Sequence, residues 1–178
     1  HLVKATIGPI MAQSTRKLVR GRDRDAEAVR LYKGNLTAGI VLIGFEGNQR
    51  IGFFDLVDGN LEAPRRYLRP PVRLIRNKGI EATGVFRSGR FKGGIVAFAE
   101  RSLDGNGHHQ GWLWHRAKKT LLRETLHPRA LTNQNGFDVT DVTGAFDGGL
   151  YILERRFRWS EGVKMRIRKI APESIKPG

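Results

Sequence analysis

Gly93-Gly94-Ile95-Val96-Ala97-Phe98-Ala99-Glu100-Arg101, GGIVAFAER, is an apolar run closed by a glutamate. Ala38–Glu46, AGIVLIGFE, closes in the same way, and so does Gly148–Arg156, GGLYILERR. The closing glutamates, Glu46, Glu100 and Glu154, recur at a fixed interval of 54 residues. A fixed interval of that size marks an internal repeat.

Working outward from the three runs gives three units with one grammar. They are Asp25 to Asp55, Gly79 to His115 and Asp138 to Ile170. An acid (Glu27, Glu81 or Asp141) opens a short apolar strand: AVRLY, ATGVF or VTGAF. A glycine-bearing turn leads to the glutamate-ended strand. A loop and a third strand follow: RIGFFD, GWLWH or VKMRIRKI. A fourth strand has room in the connections Leu61 to Ile75 and Lys118 to Leu131.

Three or four strands per repeat suit a propeller blade, whose repeats run roughly 40–50 residues. The second strands are continuously apolar, as strands covered on both faces are. The third strands alternate, as outer strands do. The sequence therefore predicts an all-β chain of antiparallel strands, about three blades of a β-propeller. It reads as one domain over 1–178 with units at roughly 22–60, 76–118 and 133–170. A closed propeller needs at least four blades. The expectation is an arc cut from a larger propeller, with its remaining blades missing from both ends, on another chain, or supplied by self-association through its open blade edges. HLVKATIGPI, at the start, reads as the tail of a preceding blade.

Composition narrows the function classes. Cysteine is absent, which excludes disulfides and thiolate metal sites. No run of 18 apolar residues offers a transmembrane helix. Lys and Arg number 32 against 17 Asp and Glu, a net charge of +15, so polyanions are attracted. The basic residues are scattered, as on a solvated face. No helix-turn-helix, zinc finger or RNA-binding aromatic signature accompanies them, so nucleic acid is not the expected partner. There is also no GxSxG elbow, P-loop or HExxH.

The acids carry the chemistry. Strands of equal rank in a propeller are related by rotation about one axis, so a repeated position becomes a ring around a central channel. Carboxylates gathered in this way repel unless a cation or guanidinium neutralises them. A hard cation such as calcium takes six to eight oxygens. The alternative is that the acids tie blades together. Arg101 and Arg155 follow two of the three glutamates, whereas Gly47 follows the first. His108-His109 and Asp104–Gly107 read first as loop residues, and Trp112, Trp114 and Trp159 as packing.

RDAEAV, GFE with RI beyond, NKGIEA, FAER, DVTDV and LERRF follow one another between Arg22 and Ile170. In that order they resemble the bacterial family called esterase-like activity of phytase. The resemblance implies a β-propeller exported to the periplasm or secreted. It also implies hydrolysis of phosphoric or carboxylic esters at an acidic site, with an anionic small-molecule ester as partner. Carried over by position, the site is Asp25, Glu27, Glu46, Glu81, Glu100, Asp141 and Glu154, with Arg101 and Arg155. Among them Glu27, Glu81, Glu100, Glu154, Arg101 and Arg155 are the catalytic candidates. Asp25, Glu46, Glu100, Asp141 and Glu154 are the candidate calcium ligands. Two other classes stand beside the hydrolase: a non-catalytic propeller with its acids as blade ties, and an anion- or nucleic-acid-binding module driven by charge.

Overall fold

A computed structural model describes residues 8–71, 74, 79–117, 120–126 and 133–176. Asn77-Lys78 and Lys118-Lys119 lie outside the described residues. A four-residue helical turn, α1 (Gly21–Arg24), precedes three antiparallel sheets. The first is β1 (Ala26–Gly34), β2 (Gly39–Phe45), β3 (Arg50–Val57) and β4 (Asn60–Leu68). The second is β5 (Ile80–Val85), β6 (Ile95–Leu103), β7 (His109–Ala117) and β8 (Thr120–Leu126). The third is β9 (Asp138–Gly144), β10 (Leu150–Arg158) and β11 (Gly162–Ile170). Each sheet is a simple meander, its strands side by side in chain order. The first strands face one another across the sheets, β5 packing against both β1 and β9. The chain is an all-β, incomplete propeller, as the repeat predicts.

Two cores sit between the sheets. Leu42, Ile51 and Phe53 of the first sheet meet Val85, Ala97, Trp112 and Trp114 of the second. Phe86, Val96 and Phe98 meet Val142, Leu150 and Ile152 of the third. On the far face of the first sheet, Ile10 and Leu18 cover Val41, Ile43 and Phe54. The first strands approach so closely that glycine is required. A Cβ on Gly84 would stand 2.9 Å from the Val142 carbonyl oxygen, and one on Gly144 would meet that of Val85.

The third strands depart from the sequence expectation. In the first two sheets β4 and β8 form the outer edge, which leaves β3 and β7 inside. Arg50 to Phe54 are accordingly buried without alternation. Only in the third sheet is the third strand at the edge, and there Val163, Met165 and Ile167 are exposed. Among the described residues, no helix is long and apolar enough to cross a membrane.

Candidate active site

Antiparallel pairing brings the start of each first strand beside the end of its second strand. The Glu46 amide donates to the Asp25 carbonyl at 2.9 Å, and the Glu100 amide to that of Gly79 at 2.9 Å. Each first strand carries an extra, unpaired residue just inside this end. Ala26 and Ala28 pair with Phe45 and Gly44, leaving Glu27 over. Ile80 and Ala82 pair with Ala99 and Phe98, leaving Glu81 over. Such a bulge re-aims its side chain away from the regular pleat. Here it turns Glu27 and Glu81 toward the strand-end glutamates.

Five carboxylates therefore converge where the first two sheets meet. Asp25, Glu27 and Glu46 form one trio and Glu46, Glu81 and Glu100 a second, each with oxygens within 4.8 Å of one another. Glu46 belongs to both. Its Oε1 also accepts from the Gly79 amide at 3.2 Å, which ties the two sheets. The turn that precedes Asp25 is held by Arg50, which is 2 % exposed. Arg50 donates to the carbonyls of Asp23 at 2.7 Å and Asn48 at 2.9 Å. Its guanidinium stacks 3.9 Å from the Phe45 ring centroid. The departure at Gly47 has a steric cause: a Cβ there would lie 2.6 Å from the Arg22 carbonyl oxygen.

Burial and crowding raise the pKa of Glu27 and Glu81. Burial, then the charges of Glu27, Glu100 and Glu46, push Glu81 up to about 7, against the opposing pull of Arg155. Glu27 is raised by burial, then by Asp25 and Glu46. The linkage has a definite sign. An unfolded glutamate releases its proton near 4.5, whereas folded Glu81 keeps it to about 7. Between these values the fold binds more protons than the unfolded chain, so stability falls as pH rises. With solvent screening, the loss is on the order of 1–2 kcal/mol. Urea midpoints at pH 5 and 7.5, in chelator, should drop more for the native chain than for Glu81→Gln. Equal drops would remove Glu81 as the source.

The third sheet does not continue the cluster, because its bulge falls at the equivalent place but its acids stand one residue out of step with it. Asp141 pairs with Leu153 and Val139 with Glu154, so Thr140 is the extra residue. Ladder position then equates Arg155, not Glu154, with Glu46 and Glu100. Glu154 takes the place of Phe45 and Ala99, and Asp141 that of Ala28 and Ala82. A one-residue difference turns a strand side chain to the opposite face. Glu154 is fully buried and accepts from Arg166 at 2.8 and 3.2 Å and from Arg168 at 3.0 and 3.0 Å. Asp141 pairs with Arg30, which also donates to the Val142 carbonyl at 3.3 Å. Arg101 ties the second sheet to the third by a bidentate pair with Asp138, at 2.6 and 2.5 Å. Neither Asp141 nor Glu154 is in either acidic trio.

The weaker candidates also fall elsewhere. His108 lies 3.1 Å from Asp104 within its own turn. His109 is 1 % exposed, with Nε2 at 3.2 Å from the Phe137 carbonyl, and burial lowers its pKa. Trp112 and Trp114 are core residues, whereas Trp159 is exposed. The sequence did hold a signal for the register. DAEAV, GIEAT and DVTDV align on Asp25, Gly79 and Asp138, and that alignment sets Thr140 beneath Glu27 and Glu81.

The donor set fits a hard divalent cation, since every group is a carboxylate. Oxygens on opposite sides of a calcium ion lie about 5 Å apart, twice the usual bond length. Each trio is within that span. A family model described as Phytase-like, esterase-like activity of phytase, matches residues 4–178. No curated protein and no solved structure matches the chain.

Proposed function

The chain belongs to the phytase-like family of hydrolase-like domains, and from that premise we propose metal-assisted hydrolysis of an anionic phosphate ester at the acidic end of the first two sheets. The observation that carries this reading is the convergence of five carboxylates from consecutive blades. Glu46, Glu81 and Glu100 would hold a cation, with Asp25 beside Glu46 in the adjoining trio, and calcium suits the site by its preference for oxygen. A bound calcium supplies Lewis-acid polarisation of a phosphoryl oxygen and a more acidic water.

The chain's own residues do the rest. Glu27 is exposed at the mouth and its raised pKa suits it to take a proton. Arg155 occupies the same ladder position in the third blade, exposed, with its charge felt at Glu81. It receives a phosphate oxygen, as guanidinium groups do. Water oxygen bonds to phosphorus as the bond from phosphorus to the ester oxygen breaks; the water's proton passes to Glu27, and the ester oxygen leaves as the alcohol with a proton taken from solvent. The surplus of positive charge steers the anion in.

A structural role is favoured for three other residues. Arg101, Asp141 and Glu154 each have a full ionic partner outside the trios. In this reading they tie strands and blades.

The test is hydrolysis of p-nitrophenyl phosphate and p-nitrophenyl acetate by the full chain. Calcium should stimulate cleavage of the phosphate ester. Excess chelator and Glu100→Gln should each abolish it. Full activity in chelator removes the metal, and unchanged turnover in Glu100→Gln removes the site.

A further inference from the structure

A second concavity lies at the other end of the same strands. Glu27 begins β1, whereas Tyr32 and Lys33 end it; Glu100 ends the apolar run of β6, whereas Gly93 precedes it. At this far end a cavity of about 420 Å³ opens between the first and second sheets. Six cations line it: Lys33, Arg65, Arg66, Arg90, Lys92 and Arg116. No acidic side chain does. Arg65 is paired with Asp55, and Arg90 donates to the Ile175 carbonyl. Lys33, Arg66, Lys92 and Arg116 have no acidic partner among the described residues.

The floor differs from the rim. Tyr32 contributes aromatic surface, whereas Phe53 and Phe91 are buried beneath guanidinium groups. Tyr32 and Phe53 meet edge to face at 5.6 Å, and the Tyr32 hydroxyl donates to the Gly93 carbonyl at 3.2 Å, which fixes the two sheets relative to each other. Arg66 stacks 4.1 Å from the Phe53 ring centroid and Arg90 4.4 Å from that of Phe91. These guanidinium groups are thus held in place before any ligand arrives. Preorganisation of this kind lowers the entropy lost on binding.

We propose that this basal cavity binds a small organic phosphate, with its phosphate groups at the Lys/Arg rim and its ring against Tyr32 and the stacked guanidinium planes of Arg66 and Arg90. Three features converge on that class. The volume falls in the range of about 300–1,000 Å³ typical of small-molecule sites, larger than an inorganic anion needs. Uncompensated cations around a concave wall favour a multiply charged anion over solvent. A planar guanidinium matches phosphate oxygens two at a time. The proposal is independent of the hydrolytic reading, since it uses neither the trios nor a metal.

The experiment titrates metal-free full chain at pH 7.5 with inorganic pyrophosphate and with ADP, by calorimetry and by amide NMR. Both should bind one per chain, ADP more tightly, with the Gly93 and Tyr32 amides shifting. Lys92→Ser/Arg116→Ser, both exposed positions, should weaken ADP at least about tenfold, a loss of ~1.4 kcal/mol. Arg158→Ser/Lys164→Ser removes the same charge from the β10–β11 hairpin and should change affinity less than about twofold. Equal weakening by the two double variants means attraction to net charge alone and overturns the site. ADP binding no tighter than pyrophosphate overturns the organic phosphate, and no binding to either overturns both.

Discussion

Glu154→Gln lowers the unfolding free energy by about 3 kcal/mol and leaves calcium affinity as it was. Removing one partner of a buried ion pair strands the other charge, at a cost of roughly 3–5 kcal/mol. Glu154 has no exposed side-chain surface and answers two cations at once. Arg166 and Arg168 keep 30 % and 18 % of theirs, so water takes up part of the loss and the lower figure applies. Losing the carboxylate also leaves Arg166 and Arg168 as like charges on the same edge strand. Urea unfolding of the variant should show a lower midpoint with an unchanged slope. A shift below about 1 kcal/mol would mean that the pair is incidental. A large fall in calcium affinity would make Glu154 a ligand after all.

Glu46→Gln gives the converse result. Calcium affinity falls about 100-fold, ~3 kcal/mol, and calcium-stimulated hydrolysis falls with it. Glu46 is the one residue common to both trios, so its neutralisation withdraws charge from each. Calcium affinity tracks the number of ligand charges. The amide oxygen of glutamine still accepts from Gly79, so the contact between sheets survives. Without calcium the variant should be no less stable than the native chain near neutral pH, because one repelling charge is gone. Asp141→Asn is the control, since its carboxylate answers Arg30 outside the trios. Isothermal titration with calcium measures all three proteins. Equal affinities for native chain and Glu46→Gln would remove the acidic end as a cation site.

The blade repeat was legible because burial imposes it. A second strand covered on both faces must be apolar throughout, as Val41–Phe45 and Ile95–Ala99 are, whereas in the third sheet the run Leu150–Leu153 is apolar but leaves Tyr151 exposed. The acids at the strand ends were legible by position, and Asp25, Glu27, Glu46, Glu81 and Glu100 do come together. The place of Glu154 was not. An interval of 54 counts residues along the chain, whereas hydrogen-bonded pairing sets Arg155 where Glu46 and Glu100 stand, so Glu154 falls one place short and onto the opposite face.

The sequence by itself determined the strands, their grouping into three sheets and the family, since these follow from apolar period, turn residues and motif order. Tertiary structure alone decided which charges meet. The bulges at Glu27 and Glu81 aim those carboxylates at Glu46 and Glu100, and the bulge at Thr140 leaves Arg155 in the corresponding place. It also decided the basal cavity, whose six cations are scattered over Lys33 to Arg116 and gather only when two sheets pack. Side chains in a strand alternate with a period of two, so a single unpaired residue selects the face that each acid occupies.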